Sequence, residues 1–272
     1  MTPTLDAILV ALVTHFIAIM LLMLVLWRIA VRIGDVSFID AVWAYGMVAL
    51  GWMAFFWRGD TLGLHGAVIS LLTSLWGLRL GTHLLLRWNR QGKDPRYEKI
   101  LGAAMARNGW SFSTASLLIV FLLQGPLLFI VCLPTQIGIL SDTASNMLGP
   151  LAQAGVMAAI TGIMFETLGD WQLDQFRKDP ANRSKVMDSG LWRYTRHPNY
   201  FGDALTWWGI WMVASETGYG LWTLPCPILL TWMLTNWSGK PILEKALGKS
   251  RPGYAAYVAR TSAFIPWPPK PR

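Results

Sequence analysis

The chain has 272 residues, with 23 Lys and Arg against 15 Asp and Glu, a formal net charge of +8 and 16 Trp. With 54% hydrophobic and only 14% charged residues, an ordinary soluble domain is excluded. Cys132 and Cys226 both lie in apolar runs and indicate neither a disulfide nor a metal cluster; no Cys/His set has zinc spacing, and there is no P-loop or GxGxxG.

A helix needs about 20 apolar residues to cross a bilayer, and continuous rather than alternating runs favour helices over a barrel. Seven spans are expected, at 8–26, 38–56, 64–86, 113–133, 147–167, 201–214 and 219–237. The first lacks a basic leader or cleavage site and reads as retained. The sixth is short and the seventh carries Pro225 and Pro227, which suits a tilted hairpin. Short loops between most spans favour one all-α bundle, a single domain over 1–272.

The cations orient this map. Arg28 and Arg32 lie between spans one and two, and Arg87, Arg90, Lys93, Arg96, Lys99 and Arg107 between three and four. Arg177, Lys178, Arg183, Lys185, Arg193 and Arg196 lie between five and six. Lys240, Lys245, Lys249, Arg251, Arg260, Lys270 and Arg272 follow the seventh. Of the 23 cations, 21 thus fall on one side, which puts the N-terminus outside and the C-terminus in the cytoplasm. The positive charge is a membrane-orientation signal, and nucleic-acid binding is not needed to explain it.

The densest chemistry lies at 189–203, SGLWRYTRHPNYFGD. Arg193, Arg196, His197, Tyr200 and Asp203 crowd a loop in front of a span, and Pro198 suits the first turn of the following helix. Such a loop is a natural anion site, because Arg offers a planar fork of donors to phosphate or carboxylate; as a bare positive flank it would only orient the helix. Charges within spans are costly and therefore functional candidates: Asp40, Arg79, Glu166 and Asp203, all in the cytoplasmic half. Asp170, Asp174 and Arg177 continue the Glu166 face at helical steps, as paired surface charges or as one wall of a polar pocket. Arg87, Arg90, Arg96 and Tyr97 form a basic loop, either a headgroup-facing surface or part of a site. Glu244, Tyr254 and Tyr257 add an acid and two hydroxyls to the tail. His15 and His65 read as structural, His83 as a core histidine one turn beyond Arg79, and Trp43 and Trp76 as candidate walls of a flat-ligand cavity.

GLWRYTRHPNYFGD, two apolar spans, Glu244 and GYAAYVARTSAFIPW together resemble the C-terminal region of the steroid 5-alpha-reductase family, in particular its bacterial branch. WGLRLGTHLLLRW with DPRY, and DWQLDQFRKDP, extend the resemblance over nearly the whole chain. RHPNY with a following glycine also occurs in sterol reductases and in isoprenylcysteine carboxyl methyltransferases, which bind S-adenosylmethionine. The resemblance implies a seven-helix bundle with NADPH in its cytoplasmic half, residues 189–272 as the cofactor-binding region, and a lipid-accessible cavity for a flat 3-oxo-Δ4 steroid or similar enone. It implies a bacterial inner membrane. Carried over by motif, Asn199 to Asp203, Asp170, Arg177, Arg79 and Tyr254 or Tyr257 would face NADPH, with Glu166, Asp174, Arg193, Arg196, His197 and Glu244 around them. The family's span-three tyrosine position holds Trp76, leaving Asp40 and Tyr45 as candidate proton donors. A lipid methyltransferase and a non-catalytic lipid-binding or transport protein are the competing expectations.

Overall fold

A computed structural model describes residues 4–271 apart from 238; Arg272 and the Lys249 side chain, both counted among the tail cations, lie outside the described residues. In chain order the helices are α1 (Leu5–Ile33), α2 (Ile39–Arg58), α3 (Leu64–Gln91), α4 (Pro95–Asn108), α5 (Phe112–Ser116), α6 (Leu122–Val131), α7 (Leu133–Leu140), α8 (Pro150–Lys178), α9 (Pro198–Ala214), α10 (Pro225–Trp232), α11 (Lys240–Ser250) and α12 (Tyr254–Arg260). A π-helical turn, Leu117–Phe121, joins α5 to α6 into one rod. Among the described residues the extended structure is limited to a bridge between Thr195 and Ser262.

Among the described residues, five helices are long and apolar enough to cross a membrane: α1, α2, α3, the α5–α6 rod and α8. They coincide with the first five expected spans, but α3 and α8 run well past their apolar stretches. Nothing breaks α3 before Gly92, whose φ is 72°, and α8 continues through its charged end until Asp179–Pro180 starts a short 3-10 turn. The sixth and seventh expected spans fall short of that length. α9 has 17 residues; after it come a 3-10 turn at Gly220–Thr223, the 8-residue α10 and a π turn at Met233–Trp237. Pro225 ends the 3-10 turn and starts α10, because proline cannot donate inside a helix but fits its first turn. The expected loop after span three also contains a helix. Asp94 caps α4, its side chain accepting from the Arg96 N–H, and Pro95 follows at the first helical position.

The chain divides into two compact units. Unit 1 comprises Met1–Gly149 with Val213–Cys226, and unit 2 comprises Pro150–Met212 with Pro227–Arg272. The expected 189–272 region therefore lies mostly in unit 2, with 213–226 in unit 1. In unit 1, α2 lies close against α3 because glycine permits it: a Cβ on Gly77 would come within 2.4 Å of Val48 Cγ2 and 2.8 Å of the Ala44 carbonyl oxygen. Unit 2 uses small residues throughout. The buried face of α8 is Ala152, Gly155, Ala159, Gly162, Glu166, Gly169 and Asp170. A Cβ on Gly202 of α9 would meet the Glu166 nitrogen at 2.5 Å, and one on Gly209 the Ala159 nitrogen at 2.5 Å. Between lipid-solvated helices this close backbone approach, rather than hydrophobic burial, favours association. The opposite face of α8 exposes Met157, Ile160, Met164, Leu168 and Trp171 as a continuous apolar stripe.

Candidate functional site

Among the described residues, two clusters of polar side chains take in most of the expected site residues, one in each unit. In unit 1, Asp40 sits in the first turn of α2, where the positive end of the helix favours a carboxylate. Its Oδ2 accepts from Arg96 at 2.7 Å and from Arg87 at 3.4 Å, and its Oδ1 accepts the Tyr97 hydroxyl at 2.7 Å. Arg96 also forks onto Asp94, at 2.7 Å from its terminal nitrogen. Burial alone would raise the Asp94 carboxyl, but the hydrogen bonds from Arg96 outweigh it and hold it below its usual range. Tyr97 is pushed well above the usual tyrosine value, first by burial and then by the Asp40 charge. Gln124 Nε2 donates to the Tyr97 oxygen at 3.3 Å, and its Oε1 accepts from Trp43 at 2.7 Å. The result is a chain of hydrogen bonds running Trp43, Gln124, Tyr97, Asp40, Arg96. A cavity of about 290 Å³ lined by Asp40, Arg87, Trp88, Gln91 and Lys93 opens beside it.

The other expected site residues of unit 1 lie elsewhere on α2 and α3. The Tyr45 hydroxyl is 3.0 Å from Thr82 Oγ1, and its ring covers Gly81. Trp76 is buried in α3, with Arg79 and His83 half-buried at helical steps along the same element. His15 is fully buried with Nδ1 3.1 Å from Gln136 Oε1, and His65 Nε2 is 2.9 Å from Glu216; both have the structural settings expected of them.

In unit 2 the loop before α9 is strapped to the tail. Arg196 Nε donates to Glu244 Oε1 at 2.8 Å, and its Nη1 donates to the carbonyls of Thr261 at 2.8 Å and Val258 at 3.2 Å. His197 Nε2 shares the same carboxylate oxygen at 3.0 Å, and its ring stacks on Tyr200 with centroids 5.3 Å apart. Burial lowers His197, with the Glu244 hydrogen bond opposing it. For Glu244, burial would raise the carboxyl, but His197 and Arg196 together bring it down to about 2. Thr195 Oγ1 donates to the Phe264 carbonyl at 2.7 Å, and the Arg196 N–H to that of Ser262 at 2.9 Å. The Tyr257 hydroxyl donates to the Trp192 carbonyl at 2.6 Å. Tyr254 packs against Tyr257 and is raised to about 12, chiefly by burial.

The acid stripe of α8 grades outward, with Glu166 and Asp170 buried, Asp174 half-buried and Arg177 exposed. Asn199 Nδ2 donates to Asp170 Oδ1 at 3.2 Å, joining the motif to the stripe. Arg193 is exposed and Asp203 lies in the second turn of α9. Sequence reasoning thus named the unit 2 cluster nearly in full but missed the central place of Tyr97, Arg96 and Gln124. The Asp94–Pro95 start signal was the clue that could have placed Arg96 and Tyr97 on a helix.

Fold and clusters define a helical membrane protein with two acid–arginine centres, one partly exposed and one with its arginine buried. The chain belongs to the DUF1295 family, described as a protein of unknown function, whose profile it matches over residues 26–261. It is 22% identical over 278 residues to an uncharacterized protein, C594.04c, of Schizosaccharomyces pombe, an alignment covering 89% of this chain and 76% of that one. No solved structure matches it.

Proposed function

We propose that the chain is a membrane-embedded, NADPH-dependent reductase of the C=C bond of a lipid enone, of the 3-oxo-Δ4 steroid type. The observation that carries this reading is the unit 2 cluster, where the motif residues of the steroid 5-alpha-reductase resemblance come together around Asp170 and Glu244. We further read α9 and the α10 region as the sixth and seventh crossings, the N-terminus as outside, and the unit 2 cluster as facing the cytoplasm of a bacterial inner membrane.

The donor set of unit 2 fits a polyanionic dinucleotide. Arg177 is an exposed cation, suited to phosphates, while the Asp170–Asn199 pair offers acceptors and a donor for ribose and amide groups. Arg196 and His197 are committed to Glu244 and to tail carbonyls, so in this reading they shape the loop rather than touch the cofactor. NADPH supplies a hydride for the β-carbon of the enone. The chain must then provide a proton where charge develops on the carbonyl oxygen. Asp40 accepts from three donors, so we assign the proton to the Tyr97 hydroxyl, which burial keeps protonated. Arg96 and Asp40 orient that hydroxyl.

A ligand that binds only the folded state raises thermal stability in proportion to its occupancy. Detergent-purified protein should therefore be stabilised by NADPH more than by NADH, and Arg177→Ala and Asn199→Ala should abolish the shift. Stabilisation by S-adenosylmethionine instead would make the chain a lipid methyltransferase and void the Tyr97 role. A response to none of the three would leave a lipid-binding or transport protein.

A further inference from the structure

We propose that unit 2 carries a membrane-surface foot, formed by Tyr194, Ile265 and Trp267, that seats in the headgroup layer of an anionic leaflet. The argument begins on α8. Its exposed apolar stripe, Met157 to Trp171, is the lipid-facing side of a helix long and apolar enough to span. From Pro150 to Trp171 the helix rises about 31 Å at 1.5 Å per residue, the thickness of the hydrocarbon core. Trp171, 58% exposed, therefore marks the headgroup level, where tryptophan is favoured.

The loop after α8 is tied to that level. Trp192 Nε1 donates to the Gly169 carbonyl at 3.0 Å, and the Leu191 N–H donates to Gln172 Oε1 at 2.9 Å. Two residues on, the Tyr194 carbonyl accepts the Trp267 N–H at 2.9 Å, which sets the two aromatic residues side by side. Tyr194, Ile265 and Trp267 are 43%, 64% and 70% exposed, although each sits in a segment pinned by backbone hydrogen bonds. Exposed aromatic and aliphatic side chains on segments tied to the Trp171 level of a spanning helix suit the interfacial layer of a bilayer. Arg193 and Lys270, both exposed, flank them in the chain and complement anionic headgroups. The foot and the cofactor loop are one piece, because Tyr194 and Arg196 hang on the same tail.

The test uses full-length protein in nanodiscs, spin-labelled at single introduced cysteines; Cys132 and Cys226 are buried. Trp267→Cys, Ile265→Cys and Tyr194→Cys are compared with Ala181→Cys, an exposed loop position. The oxygen-to-nickel-chelate accessibility ratio at the three foot positions should exceed that at 181 several-fold. It should be higher with phosphatidylglycerol and phosphatidylcholine in equal parts than with phosphatidylcholine alone, and Arg193→Gln with Lys270→Gln should remove that difference. Ratios equal to that at 181 overturn the proposal. So does shielding from both reagents, which would mean a protein contact. Equal ratios in the two lipids overturn its anionic half.

Discussion

Both units hold a carboxylate against arginine, yet the two arrangements do different things. Around Asp40, Arg96 and Arg87 are about a third exposed, and the partners are side chains on α2, α3, α4 and the α5–α6 rod. Around Glu244, Arg196 is only 9% exposed and spends two of its bonds on tail carbonyls. The first is a side-chain network that orients a hydroxyl; the second is a backbone strap that fixes a loop. A group in the first can be replaced while helices hold the frame. In the second, the same removal strands buried acceptors, which costs more than the bond itself contributed.

The comparison can be broken at four places. Arg196→Ala should lower stability by about 3–5 kcal/mol, the range for removing one partner of a buried pair, read as a lower melting temperature together with loss of the NADPH shift. A melt no lower than that of Arg87→Gln would erase the contrast. Tyr97→Phe should cost only about 1 kcal/mol of stability, but about 10²–10⁴-fold in turnover of an enone, with NADPH stabilisation intact. Unchanged turnover would move the proton donor elsewhere. Acidification should loosen the strap of unit 2. His197 is held below its usual 6.5, so below about 6.5 the unfolded chain binds the extra proton and stability falls with pH. Glu244, at about 2 against its usual 4.5, adds a further loss below 4.5. His197→Gln should remove the decline that begins near pH 6.5 while keeping the later one, as followed by melts at stepped pH. The smallest effect belongs to Arg87→Gln, well under about 1 kcal/mol, because a 3.4 Å contact that is a third exposed is a weak surface pair.

Spans one to five were legible because long apolar runs have a single physical solution in lipid. The polar extension of α3 to Gln91 was not, since hydropathy falls there although the helix persists; that of α8 was, from the helical steps of Asp170, Asp174 and Arg177. α4 was read as a loop from its cations, and the Asp94–Pro95 start signal went unused. The sixth and seventh spans were drawn from apolarity alone; Gly218, Gly220 and two prolines divide that stretch into elements shorter than the five helices long enough to cross. In the site, the motif at 189–203 announced itself by density, and the shared buried face of Glu166 and Asp170 by spacing. The pairing of Asp40 with Arg96 and Tyr97 joins residues 56 and 57 positions apart, and only the packing of helices reveals such contacts.

The strap has a consequence for the timing of synthesis. Thr195 and Arg196 find their acceptors at Ser262 and Phe264, nearly 70 residues later in the chain. At a translation rate of about 5–20 residues per second, that interval is roughly 3–14 s. During it α8 and α9 can already be inserted while the Arg196 guanidinium still lacks its carbonyl partners. The ribosome therefore delivers the membrane anchor of unit 2 first and its polar centre seconds later, and whatever guards the nascent chain has that long to act on the open loop.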